Sequence, residues 1–127
     1  MTRKSQDGYL EELSEKILDI LGEKKAILEV YAVDDKYMES LNKRFRGKYS
    51  STNVLSFPYP KDFPRIGLNK YLGEIYLSPS YIKRHGESLE YMLLHGILHL
   101  LGFNHEAKGD RIKMESLEKD VLKKLNL

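Results

Sequence analysis

Three of the chain's four histidines fall in one short window, His95-Gly-Ile-Leu-His99-Leu-Leu-Gly-Phe-Asn-His105. His95 and His99 are four apart. On a helix that step turns about 400° and rises about 6 Å, so both imidazoles share a face. Two nitrogens so placed can converge on one ion at roughly 2.0–2.1 Å each. Gly102 is placed to end the helix, because glycine accepts the left-handed conformation there. The chain can then fold back and bring His105 as a third donor. Three histidines leave one tetrahedral position open, where a catalytic zinc keeps a water whose pKa can fall to about 7. The expectation is one zinc ion per chain and hydrolysis at neutral pH. A structural zinc would need a fourth ligand, which a carboxylate could supply but no cysteine can, because the chain has none.

The residue after the first histidine bears on the reaction. Zinc peptidases with this spacing carry glutamate there as general base. Here it is Gly96, which takes no proton, so peptide hydrolysis is disfavoured. The fourth histidine, His85, precedes Gly86 and reads as the end of a short helix.

A second group of residues could handle phosphate. Lys43, Arg44, Arg46 and Lys48 crowd four cations into one short stretch. Cations also favour a helix C-terminus for its dipole alone. Arginine's planar fork matches phosphate oxygens, so Arg46 is the expected phosphate-holding catalytic residue and the four together a candidate phosphate clamp. Lys61, Arg65, Lys83 and Arg84 could extend the track. Ser56 sits in a strand-like stretch and reads as structural. Tyr49, Tyr59, Tyr71 and Tyr76 could stack on bases but read first as packing or surface rings.

The elements that must position these residues follow from periodicity. Leu10, Leu13, Ile17, Ile20 and Leu21 have helical spacing, with Gly22 as a stop. Ala26 to Val33 reads as a strand. Asp34 or Asp35 caps a second helix with Met38, Leu41 and Phe45 on one face and Gly47 at its end. Asn53 to Phe57 is a short strand, after which Pro58, Pro60 and Pro64 impose a loop. Leu72 to Leu77 is a third strand. Ser78-Pro79 offers a hydroxyl cap and a proline at the first helical position. Ser88 caps the histidine helix, which runs to about Leu101. Asp110 to Leu125 forms the last helix, apolar at Met114, Leu117, Val121 and Leu125, with its Glu, Asp and Lys residues on a solvated face.

Interleaved strands and helices give an α/β (α+β) class: a small mixed β-sheet packed with helices, with metalloprotease-like spacing at the zinc site. At 127 residues with no linker-like stretch, one domain spanning 1–127 is expected. The first residues have no apolar core, and the apolar run from Met92 to Phe103 is too short for a bilayer. A cytoplasmic protein with no membrane partner is the expectation. The net charge of +2 does not by itself mark a nucleic-acid binder.

The histidine window resembles the signature of the YbeY family, metal-dependent bacterial endoribonucleases. Leu41-Asn42, Arg46-Gly47-Lys48, Thr52-Asn53-Val54-Leu55-Ser56-Phe57-Pro58 and Leu72-Gly73-Glu74-Ile75 resemble further family blocks, in order. Two positions depart: Asn53 and Asn104 stand where the family usually has aspartate, which removes two negative charges and no metal ligand. The resemblance implies zinc on His95, His99 and His105, and a functional arginine at Arg46. It implies cleavage of single-stranded ribosomal RNA in 16S 3′-end maturation, and ribosome quality control. It further implies partners in the ribosomal small subunit, its proteins and a ribosome-assembly GTPase. Two other classes stay open: a non-catalytic ribosome-associated zinc protein and, against Gly96, a zinc peptidase.

Overall fold

The computed structural model describes residues 3–60, 70–103 and 108–127, with side chains from Asp7 onward. Helix α1 (Arg3–Ile20) leads into strand β1 (Ala26–Ala32), helix α2 (Asp35–Arg46) and strands β2 (Val54–Pro58) and β3 (Lys70–Leu77). Helices α3 (Pro79–Arg84), α4 (Leu89–Leu100) and α5 (Lys108–Lys124) follow. The expected elements are present, and the class is the expected mixed one. Pro64 lies outside the described residues.

The sheet has the order β1-β3-β2, with β1 parallel and β2 antiparallel to the central β3. Strand alternation sends Ala26, Leu28, Val30 and Ala32 of β1 to the main core and Tyr31 to the opposite face. Strand β3 breaks that alternation. Leu72 and Ile75 lie three apart yet both enter the main core, because the register slips between Ile27 and Leu28 as they pair with Tyr71 and Gly73. Gly73 takes φ +149°, and a Cβ there would lie 2.2 Å from the Phe57 carbonyl oxygen. Only glycine lets β2 approach β3 so closely.

Helix α4 is the hub of the main core. It packs on β2 and β3, and also meets α1, α3 and α5. Leu93, Leu94, Ile97 and Leu98 are fully buried, as a helix apolar on most sides must be. The other sheet face carries a smaller cluster, in which Met38 and Leu41 of α2 meet Val33 and Leu55 with Tyr31, Phe57 and Tyr76 around them. Phe45, expected on the same face of α2, is largely exposed and meets only the edge of this cluster, its ring 5.0 Å from that of Phe57.

Local capping follows the sequence with one exception. Asp34 accepts from the Tyr37 amide, and Gly47 closes α2 in the left-handed conformation. Ser88 accepts from the Tyr91 amide at 3.1 Å. Ser78 precedes Pro79 as expected, but its hydroxyl does not cap α3. It is buried and donates to Asp35 at 2.8 Å, in a cluster where Asp35 also pairs with Arg84. A partner distant in sequence outcompetes the local amide.

Candidate active-site cleft

Helix α4 presents His95 and His99 one turn apart. Their Nε2 atoms lie 3.0 Å from each other. Two nitrogens bound to one tetrahedral zinc stand about 3.3 Å apart, so this spacing fits shared ligation. Among the described residues no three histidine, aspartate or glutamate side chains are grouped to hold a metal. The third expected donor, His105, and its neighbour Asn104 lie outside the described residues. The turn leading to them is built as expected. Gly102 takes φ +103°, its amide reaches the His99 carbonyl, and the Phe103 amide reaches that of Leu98.

The pair opens onto a cleft of about 520 Å³ lined by Arg46, Thr52 to Phe57, Tyr91, Met92, His95 and His99. The end of α2, strand β2 and one face of α4 thus meet around one space. Arg46 is brought there because α2 ends at Gly47 and Asn42 ties down the following turn, its buried amide donating to the Ser50 carbonyl at 2.8 Å. Lys43, Arg44 and Lys48 are exposed and do not line the cleft; Lys43 lies over the Tyr49 ring and Arg44 over that of Phe45. Arg84 is engaged with Asp35 and Lys83 is exposed, while Lys61 and Arg65 lie outside the described residues. His85 ends α3, with Nδ1 against the Tyr81 carbonyl and its ring stacked on Tyr81.

Gly96 has a packing reason. A Cβ there would lie 3.1 Å from Ser56 Oγ and 3.3 Å from Ile75 carbons. The position faces the sheet, so a larger side chain would press on Ser56 and Ile75. Ser56, read from sequence as structural, receives the bare face of α4 and also lines the cleft. Asn53 accepts from the Val54 amide at 2.7 Å and turns its amide nitrogen toward the Glu87 carboxylate, 3.3 and 3.5 Å away. An aspartate here would set two carboxylates against each other. Tyr59 and Tyr71 pair ring to ring, Tyr76 packs among Tyr31, Tyr37 and Phe57, and Tyr49 is exposed.

The sequence reading missed two residues at the site. Glu118, assigned with its neighbours to a solvated face of α5, is only 3% exposed. Its Oε2 lies 3.0 Å from His95 Nδ1, and its Oε1 accepts from the Tyr91 hydroxyl at 3.2 Å. The correction has a simple cause. Glu118 falls four after Met114 and three before Val121, inside the apolar stripe, and that spacing was the available signal. Tyr91, four before His95, stacks on its ring and lines the cleft.

Fold and cleft together define a small mixed α/β protein that carries a histidine pair on a sheet-packed helix, in a cleft that an arginine also lines. A family model described as endoribonuclease YbeY matches residues 2–126. The chain is 38% identical to the endoribonuclease YbeY of Aquifex aeolicus, over 98% of its own length and 87% of the relative's. It is 36% identical to that of Neorickettsia sennetsu (93% and 87% covered) and 39% to that of a Chelativorans species (82% and 69%). A Thermotoga maritima protein solved in solution superposes with a TM-score of 0.60 at 28% identity, covering 99% of this chain and 88% of that one. The chain belongs to the endoribonuclease YbeY family.

Proposed function

We propose that this protein is a zinc-dependent, single-strand-specific endoribonuclease of 16S ribosomal RNA 3′-end maturation and ribosome quality control. The observation that carries the reading is the convergence of His95 and His99 Nε2 in the cleft that Arg46 also lines. Family membership supports RNA as the substrate.

His95, His99 and His105 would hold the zinc. When bound, it supplies Lewis acidity and an activated water beside the substrate phosphate. Arg46 binds that phosphate and offsets the charge that grows on it during cleavage. Thr52 to Phe57 form the wall along which the strand lies, and Lys43, Arg44 and Lys48 attract its backbone from outside the cleft. The ribosomal small subunit, its proteins and a ribosome-assembly GTPase are the proposed partners, and the cytoplasm the proposed location. No helix among the described residues is long and apolar enough to cross a membrane. Gly96 supplies no general base, which weighs against peptide as substrate.

The test is cleavage of an end-labelled single-stranded ribosomal RNA fragment by wild type and His95→Ala purified side by side, with zinc content measured on both and on His99→Ala. Cleavage by wild type alone, and zinc lost from both variants, are expected. Equal cleavage by wild type and variant, or none by either, overturns the nuclease reading and favours a non-catalytic ribosome-associated zinc protein. Equal zinc in His99→Ala overturns the ligand assignment.

A further inference from the structure

We infer that Glu118 is a positioning residue for His95, which holds the proton of that imidazole on Nδ1 and so turns an unprotonated Nε2 toward the cleft. The inference rests on the zinc reading of the histidine pair and extends it to α5.

Glu118 is the one carboxylate or cation buried among the described residues. A buried carboxylate costs several kcal/mol of desolvation unless it is paired and hydrogen-bonded, on the order of what a whole buried leucine contributes. An apolar residue would complete the α5 stripe at no such cost, so packing alone does not account for it. Its contacts are specific. A carboxylate only accepts, so the 3.0 Å contact to His95 Nδ1 requires the proton on that nitrogen. The other oxygen takes the Tyr91 hydroxyl at 3.2 Å, which fixes the carboxylate's rotation. The Tyr91 ring also lies beside that of His95, its plane inclined by 29° and its centroid 6.0 Å away. The imidazole is thereby clamped between α5 on one nitrogen and the cleft on the other. With Nδ1 donating, Nε2 offers its lone pair at the point where His99 Nε2 also arrives. A neutral imidazole released from Glu118 distributes its proton over both nitrogens, and the fraction protonated on Nε2 cannot bind a cation.

Two readouts test this without RNA. The first is the nitrogen-15 signature of the His95 ring in the metal-free protein, which reports its tautomer directly. The wild type is expected in the Nδ1–H form and Glu118→Gln in a mixture. The second is zinc affinity by competition with a chelator. Glu118→Gln is expected to lose about 10–100-fold and Glu118→Asp to regain part of it, with Tyr91→Phe losing less than Gln. Where circular dichroism shows that a Glu118 variant has unfolded, Tyr91→Phe and the wild-type tautomer decide. An Nε2–H tautomer in the wild type, or a folded Glu118→Gln that binds zinc within about twofold of wild type, overturns the inference. Absence of RNA cleavage alongside the Nδ1–H tautomer and a Gln-sensitive zinc site would sink the nuclease reading and leave this one standing.

Discussion

Gly96 separates two demands that meet on one helix. The histidines on either side of it along the chain face the cleft, while position 96 itself lies against Ser56 and Ile75. Gly96→Ala places a methyl group where Ser56 Oγ and the Ile75 side chain must give way. Such overpacking costs about 1–3 kcal/mol. The urea midpoint of Gly96→Ala is expected to fall accordingly, and pairing it with Ser56→Gly, which makes room, is expected to restore part of the loss. An unchanged midpoint would mean that α4 sits further from the sheet than the contacts imply. From sequence, Gly96 was legible only as the absence of a base. Its packing role depends on a strand some forty positions upstream, which no local pattern reports. Glu118 was hidden only in part, since its place in the apolar stripe of α5 is local while its partner is not. A charged residue reads as solvated until a partner such as His95 is brought to it by tertiary structure.

Among the elements, the pairing of β2 with β3 sets the position of the cleft wall. Pro58 lies opposite Gly73, and the β2 backbone fills the space a side chain would need. Gly73→Ala combines that collision with an unfavourable φ, and a cost of about 3 kcal/mol or more is expected. Thermal unfolding checks it: a drop of roughly 10 °C or more is expected for a chain of this size. A drop of only a degree or two would show that the strands can separate. What the elements owe to local chemistry was legible: the Asp34 and Ser88 caps, the Gly47 and Gly102 stops, and the apolar periods of α1 and α5. What they owe to distant partners was not. Ser78 has the type and place of a cap, yet gives its hydroxyl to Asp35. The slip at Gly73 is likewise invisible in an apolar strand read by alternation.

At the scale of the whole molecule, the sheet face that α2 packs on confers a pH limit. Hydrogen bonding to Glu29, with burial and the neighbouring charge, pushes the Tyr31 phenol up to about 12 from an ordinary 10.0. Burial and the bond to Glu74 raise Tyr76 as well. A phenol that keeps its proton longer in the folded state contributes stability that is whole below pH 10. That contribution is lost as pH rises toward 12. Urea midpoints at pH 9 and pH 11 are expected to differ, and Tyr31→Phe is expected to narrow the difference. An identical decline in the variant would place the alkaline limit elsewhere. The mixed class could be read from interleaved elements. The strand order could not, nor could the meeting of Arg46 with the histidine pair, because spacing along a chain carries no information on which elements become neighbours.

That strand order also governs how the chain can be made. β1 and β2 do not pair with each other; each pairs with β3, which is the last of the three to be synthesised. While the polypeptide is being extruded, its first half therefore carries two strands with no partner. The sheet cannot close before residue 77 is available, and α4, which packs on it, is made later still. Assembly is thus ordered backwards from the middle of the sheet, through contacts distant in sequence that slow folding. The nascent half-chain is exposed to mispairing for as long as β3 is withheld.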